Sequence, residues 1–327
     1  MKNNLLERLR CPKTGQRLTL NSPDSIADDT ETGWLVSIDG QYRYPIRDGI
    51  PRFVPEENYT EKNFGMQWNH FSRTQLDSYS GHPITADRFW AATGWRPEDM
   101  KGKWLLDVGC GSGRFAEVAL NAGAIVVALD YSSAVDACYT NLKHHPNLHV
   151  VQGDIYALPF EDGYFPFVYS LGVLQHTPDV AKAFAALPPM VAEGGHLCVD
   201  YYQKSWTSIL QFRYWLRPIT KRLPPLKLFA ALERLVPVLL PISRILARIP
   251  IVGKVLHRAI PVVNFEGIYP LTERQLYEWA LLDTFDMLAP AYDQPQTPYT
   301  NRLWLEQAGL HDIEVLNAGH LVGRGKK

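Results

Sequence analysis

Five apolar runs recur through the middle of the chain, each closed by a polar or turn residue. They are WLLDV (104–108), IVVALD (125–130), LHVVQ (148–152), FPFVYS (165–170) and HLCVDY (196–201). Short, nearly continuous apolar runs of this kind are strands buried on both faces of a sheet. Between them the apolar spacing switches to three and four. That spacing predicts helices over Arg114–Ala122, Ala134–His144 and Pro178–Leu187, the last with Thr177 as N-cap and Pro178 at its first position. Alternation of strand and helix predicts an α/β fold with a doubly wound parallel sheet.

The pattern divides the chain into five stretches. Residues 1–54 hold short β-like pieces, GWLVSI and QYRYPI, and read as a small β-rich domain. Residues 55–100 are aromatic-rich and irregular, with one helix expected at Glu61–Phe71. Residues 101–202 form the α/β core. Residues 203–297 interrupt the alternation and read as a helical cap insertion. Residues 298–327 return to it, with a helix at Asn301–Ala308 and strands at Asp312–Leu316 and His320–Val322.

Composition narrows the class without changing this picture. The chain has 327 residues, is 46% hydrophobic and 20% charged, and carries a net charge of −1. That balance argues against a protein coated in cations for bulk nucleic-acid binding, and no DNA partner is expected. Cys11, Cys110, Cys138 and Cys198 form no CxxC pair, so reduced thiols are expected. The start, MKNNLLERLRCPKTG, has no apolar signal core, and the longest apolar run, LVPVLLPIS (235–243), is too short to span a bilayer. A cytoplasmic protein is expected.

The candidate chemistry sits at strand ends. LLDVGCGSGRF (105–115) runs from a strand into Asp107 and then Gly109, Gly111 and Gly113. In a doubly wound sheet, ligands lie at the carboxyl ends of the strands. A dinucleotide loop needs GxGxxG, and Arg114 stands where its third glycine belongs. An acid two residues before the first glycine would repel a pyrophosphate, but it suits a ligand with an ammonium group. S-adenosylmethionine (SAM) has a cationic amino-acid end and no phosphate. Asp130 ends the second strand, where a carboxylate can accept from both hydroxyls of a ribose. Asp154 follows the third, where it can accept from an adenine amino group, with Ile155 against the ring.

These motifs resemble those of the class I SAM-dependent methyltransferases, in residues 104–202 with the tail 298–325. LLDVGCGSG resembles the family's first motif and VVALDYS its acidic second. VVQGDIYALPF with FVYSLGVLQHTPD is similar to the small-molecule methyltransferase subgroup, and LPPMVAEGGHLCV to its turn into the fifth strand. The resemblance implies a Rossmann-like seven-stranded sheet. It implies that Asp107 and the loop Gly109, Cys110, Gly111 and Gly113 hold the methionine end of SAM. Asp130 with Tyr131 would hold the ribose, and Asp154 and Ile155 the adenine, with Leu171 in the same set. Pro166 replaces the family's usual aspartate at the start of the fourth strand, where a proline is tolerated. Methyl transfer from a sulfonium needs an acceptor held in line and relieved of its proton. Gln175 and His176, after the fourth strand, are the candidates for contacting the acceptor. Tyr201, Tyr269 and Tyr292 are candidate acceptor-binding residues, and Asp200 and Tyr202 are weaker candidates.

Residues 5–54 resemble a small zinc-ribbon-like family whose eukaryotic member activates methyltransferases. Cys11 is alone, and Thr14 stands where a CxxC partner would be, so no zinc is expected. The expected role is a clamp on an apolar edge of the core; a grip on RNA and a plain structural cap are the alternatives. Residues 206–264 carry ten Lys or Arg against Glu233 alone, with seven prolines. Short proline-broken amphipathic helices are expected there, with cations on one side. Three readings stand: a solvated lid, a lid selecting an anionic or lipid-linked acceptor, and peripheral membrane contact. Trp206, Phe212, Tyr214 and Trp215 would suit stacking on RNA bases, a less favoured reading. The expected activity is SAM-dependent methylation of a small molecule, O-methylation preferred. The alternative is an RNA or protein methyltransferase.

Overall fold

The structure, a computed structural model, describes residues 1–22, 29–55, 62–204, 212–249, 253 and 260–327, except the side chains of 62–64 and 212–213. Trp206, Lys254, Arg258, the side chains of Phe212 and Arg213, and the expected helix start at Glu61 lie outside the described residues.

The core is a seven-stranded sheet of β5 (Trp104–Val108), β6 (Ile125–Asp130), β7 (Leu148–Gln152), β8 (Phe165–Ser170), β9 (Val191–Tyr201), β10 (His311–Asn317) and β11 (Leu321–Lys326). Its order is β10-β11-β9-β8-β5-β6-β7, parallel except for β11, which runs antiparallel between β9 and β10. The order reverses between β5 and β8, so their carboxyl ends splay apart and open a crevice there. The fold is a Rossmann-like doubly wound α/β sheet with a separate N-terminal sheet. Helices α6 (Arg114–Asn121) and α7 (Ala134–Leu142) link β5 to β6 and β6 to β7.

Several elements differ from the sequence pattern for physical reasons. β9 begins five residues early, at Val191, and β11 continues four residues past Val322. Helix α8 (Val180–Ala185) is capped by Asp179, which accepts from the Lys182 N–H at 3.1 Å, and not by Thr177. The Thr177 hydroxyl instead donates to the Leu174 carbonyl at 2.7 Å and closes a short 3₁₀ turn. Pro166 falls where the β8–β9 register shifts, so its missing N–H costs the ladder no bond. The stretch 55–100 is not irregular. It holds α2 (Lys62–His70), α3 (Asp77–Ser80), α4 (Ile84–Thr93) and α5 (Pro97–Met100).

In the cap, α9 (Phe212–Thr220) leads into α10 (Pro225–Ala247), a single 23-residue helix that continues through Pro237 and Pro241. A proline deprives the carbonyl four residues earlier of its donor. For Pro237 that carbonyl belongs to Glu233, and the Tyr277 hydroxyl approaches it at 3.5 Å. Tyr277 lies on α11 (Glu273–Leu288), a helix opened by a capping box of Thr272 and Gln275. Leu228, Phe229, Leu232, Val236 and Leu240 of α10 pack on Leu281, Phe285 and Leu288 of α11. Helix α12 (Pro298–Gln307) returns the chain to the core.

The N-terminal sheet, β1 (Leu18–Asn21), β2 (Gly33–Ser37), β3 (Arg43–Arg47) and β4 (Ile50–Pro51), is an antiparallel meander. It shares a core with the large sheet: Leu5, Leu9, Leu35 and Ile46 join Leu106, Val127 and Val151. It also covers the β7 edge. The Phe53 N–H donates to the Gln152 carbonyl at 2.8 Å, and Arg52 reaches Gln152 at 3.0 Å and Asp136 at 2.7 Å. An unpaired edge strand invites aggregation, and this contact removes the exposure. Cys11 is buried, with its sulfur 3.2 Å from the Tyr44 hydroxyl. All four cysteines are free thiols. Among the described residues no three His, Cys, Asp or Glu side chains cluster as metal ligands, and no helix is long and apolar enough to cross a membrane.

Candidate active site

A cavity of about 590 Å³ opens at the carboxyl ends of β5, β6 and β8 and is roofed by α2, α4 and α11. Its volume lies within the roughly 300–1,000 Å³ typical of small-molecule and cofactor sites. The floor is the glycine loop. Gly109 has φ +90°, and a Cβ there would sit 2.4 Å from the Val173 side chain. At Gly111 (φ +53°) a Cβ would sit 3.2 Å from the Trp68 ring of α2. Both the left-handed backbone and the lack of space require glycine at these two positions.

Asp130 braces this loop from the end of β6. Its Oδ2 accepts from the Gly111 N–H at 2.9 Å, and its Oδ1 accepts from the N–H and hydroxyl of Ser132 at 2.9 and 2.7 Å. Burial pushes its carboxyl up, while the Ser132 and Gly111 bonds favour the charged form. Asp154 lines the cavity with Ile155 and turns its Oδ1 to the Tyr156 N–H at 2.9 Å. Cys110, Tyr131, Leu171 and His176 also line it.

His176 has a defined orientation. Its Nδ1 lies 3.1 Å from the Tyr292 carbonyl, and a carbonyl only accepts. The Nδ1 therefore carries the proton, and Nε2 is the basic nitrogen of the neutral ring. The ring meets Tyr202 edge-on, with centroids 5.5 Å apart.

Several predicted residues lie away from the cavity wall. Asp107 is 1% exposed, beneath the loop, and does not line the cavity. Burial pushes its carboxyl up to about 8, against the nearby Tyr169 hydroxyl, which favours ionisation. Gln175 is fully buried, and its carbonyl accepts from the Gln294 N–H at 2.9 Å. Tyr201 is fully buried against Trp304, because β9 turns alternate residues to opposite faces and gives the cavity Tyr202 instead. Tyr269 stands one layer back, stacked on the cavity residue Phe265 at 5.3 Å. Tyr292 contributes only the carbonyl that holds His176. Among the described residues, no cation of the 206–264 insertion lines the cavity. Arg217 is buried instead on the carbonyls of Met287 (3.1 Å) and Pro290 (3.0 Å).

The far wall holds residues that sequence reasoning missed. Arg88 of α4 pairs with the buried Asp200 at 2.8 Å, which holds that carboxyl below its usual range despite burial. Arg114 hydrogen-bonds Gln75, which donates to Asp283 of α11 at 3.2 Å. Asp286, one helical turn on, accepts from Gln67 and from the Tyr202 hydroxyl, both at 3.3 Å. Burial and the neighbouring Asp286 push Asp283 up to about 7. Signals existed: two acids three apart interrupt the apolar run ALLDTFDML, and Arg114 follows the last glycine. Four lining carboxylates thus face two guanidiniums. Such a site favours a ligand with cationic groups and disfavours a pyrophosphate.

Residues 106–199 match the family model described as a methyltransferase domain. A ubiquinone biosynthesis O-methyltransferase of Acinetobacter baumannii is 30% identical over 134 residues, which cover 38% of this chain and 56% of that protein. A protein of the same name from Coxiella burnetii is 28% identical over 113 residues, 34% of this chain and 48% of that one. The chain spans about half the length of these curated relatives. The crystal structure of human N-acetylserotonin methyltransferase in complex with SAM superposes with a TM-score of 0.44 at 14% identity, over 84% of this chain and 60% of that one.

Proposed function

We propose that the chain is a SAM-dependent methyltransferase acting on a small-molecule acceptor, with a hydroxyl as the methylated group. The observation that carries this reading is the cavity at the switch point. It brings a glycine loop, two strand-end carboxylates and an oriented histidine around one space, inside the segment that matches a methyltransferase domain.

The residues present fit SAM. The loop at Gly109–Gly111 lets the backbone approach the methionine end closely, and Arg88 and Arg114, flanking Gly172, suit its carboxylate. Asp130 offers two oxygens to the ribose diol, and Asp154 and Ile155 offer an acceptor and an apolar face to the adenine. When bound, the cofactor supplies an activated methyl group on a sulfonium. Because the thioether left behind is neutral, the protein has little charge to stabilise there, and much of the acceleration comes from holding the acceptor oxygen in line. In this reading His176 takes the acceptor's proton on Nε2, with Nδ1–H anchored on the Tyr292 carbonyl. The Tyr202 hydroxyl, bound to Asp286, gives the acceptor side a second oriented polar group. Trp68, Val263 and Phe265 give the cavity part of its apolar lining.

The test is transfer of radiolabelled methyl from SAM into a cell extract, followed by fractionation. Label in the small-molecule or lipid fraction is expected, and its chemistry names the acceptor. Label only in RNA or protein would replace this reading with that of a macromolecular methyltransferase.

A further inference from the structure

Helix α10 has a second apolar face. Beside the stripe that packs on α11, Leu235, Val238, Ile242 and Ile245, with Ile249 just past the helix end, recur at spacings of three and four and stay 39–64% exposed. Soluble surfaces rarely carry so continuous an apolar stripe without a partner. At its amino-terminal end the surface continues through Leu226 and Ile219, 70% and 66% exposed, to Trp215 at 68%. Lys221, Arg222, Lys227 and Arg234 are exposed along the same region and form no ion pair among the described residues. Glu233 is the one acid within α10. Arg244 and Arg248, by contrast, are neutralised by Glu266 and Glu273.

The charge decides what covers the stripe. A second copy seated on this stripe would gather Lys227 and Arg234 of both chains into one interface, with Glu233 the one acid that each α10 brings to relieve the repulsion. An anionic bilayer supplies both complements at once. It offers an acyl boundary for aliphatic side chains and phosphates for unpaired cations, and it accepts a tryptophan at the interface. We propose that the outer face of α9–α10 docks peripherally on an anionic lipid surface. Helix α10 lies in the membrane plane, with Ile242 and Ile245 inserted and Lys227 and Arg234 at headgroup level. The bound face belongs to the helix that packs on α11, the carrier of Asp283 and Asp286 in the cavity wall.

The experiment is co-sedimentation of the full chain with vesicles of phosphatidylcholine alone or mixed with phosphatidylglycerol, at low and high salt. Pelleting with the mixed vesicles, weakened by salt, is expected, with none on phosphatidylcholine alone. The double variant Lys227→Gln/Arg234→Gln should bind about 25-fold more weakly, about fivefold per cation removed. Ile242→Asp/Ile245→Asp should abolish pelleting. Both pairs are exposed, so unchanged melting temperatures and SAM affinities serve as the folding control. Failure of the chain to pellet on anionic vesicles overturns the proposal. So does undiminished binding of both variants. A concentration-dependent dimer that Ile242→Asp/Ile245→Asp abolishes, with no vesicle binding, would assign the stripe to a second copy instead. None of these readouts involves methyl transfer, so the outcome is independent of the proposed activity.

Discussion

Replacing Asp130 by asparagine separates bracing of the glycine loop from binding of the cofactor. The carboxylate accepts three hydrogen bonds within the protein, one from Gly111 and two from Ser132. Asparagine has the same shape but a single acceptor oxygen. Two donors converge on the Ser132 side, so the amide oxygen turns there and the amide NH₂ confronts the Gly111 N–H. The loop then loses a bond to a charged acceptor, about 1.5–3 kcal/mol, and thermal unfolding should report a loss of that order. A bound ribose loses one charged acceptor as well. A further 1.5–3 kcal/mol corresponds to an increase of about 10- to 150-fold in the Kd for SAM. Titration calorimetry measures this directly. Because burial raises the Asp130 carboxyl, acid should mimic the substitution, with wild-type affinity falling as pH drops through that raised value. A Kd for Asp130→Asn within threefold of wild type, alongside a lowered melting temperature, would refute the reasoning. Asp130 would then brace the loop and hold no cofactor.

Three further outcomes follow from the same geometry. His176→Gln should lower kcat by about 10²–10⁴-fold with little change in SAM affinity; an unchanged kcat would leave His176 as a packing residue against Tyr202. Asp107 has a carboxyl raised to about 8 in the fold against 3.8 unfolded, so the native state binds the extra proton and stability falls as pH rises between those values. Asp107→Asn, which mimics the protonated form, should therefore melt higher than wild type above about pH 8 and match it below about pH 4, as read by scanning calorimetry across pH. Arg52→Ala removes the contacts to Gln152 and Asp136 that tie the N-terminal sheet to β7, and should cost about 1–3 kcal/mol in denaturant unfolding; no loss would mean that the shared apolar core alone holds the two sheets together.

The class of fold and the floor of the cavity were legible in the sequence because both rest on local rules. The apolar runs at 104–108, 125–130, 148–152 and 165–170 coincide with β5 to β8, since a strand covered on both faces must be apolar throughout. The glycines after β5 announce a loop with backbone at positive φ, which L side chains adopt rarely and at a cost. Local rules failed wherever a distant partner settled the outcome. Pro237 marks a helix break by itself, but α10 runs through it, packed along its length on α11, with the Tyr277 hydroxyl, forty residues later, 3.5 Å from the carbonyl that the proline deprives. Thr177 is a different case: it is a good N-cap by itself, but a local competitor, the Leu174 carbonyl three residues earlier, takes its hydroxyl. Distant partners settle the site as well. Alternation along β9 buries Tyr201 and presents Tyr202, and the sheet's register with its neighbours, not the composition of the strand, sets which of the two faces the cavity. The wall of Arg88, Arg114, Asp283 and Asp286 gathers residues nearly two hundred positions apart, and no spacing in the chain brings them together. Hydrophobic periodicity and glycine geometry are properties of neighbours in sequence, so the chain states them openly. Charge pairing across a cavity depends on which helices the core packs over the sheet, so only the tertiary structure decided it.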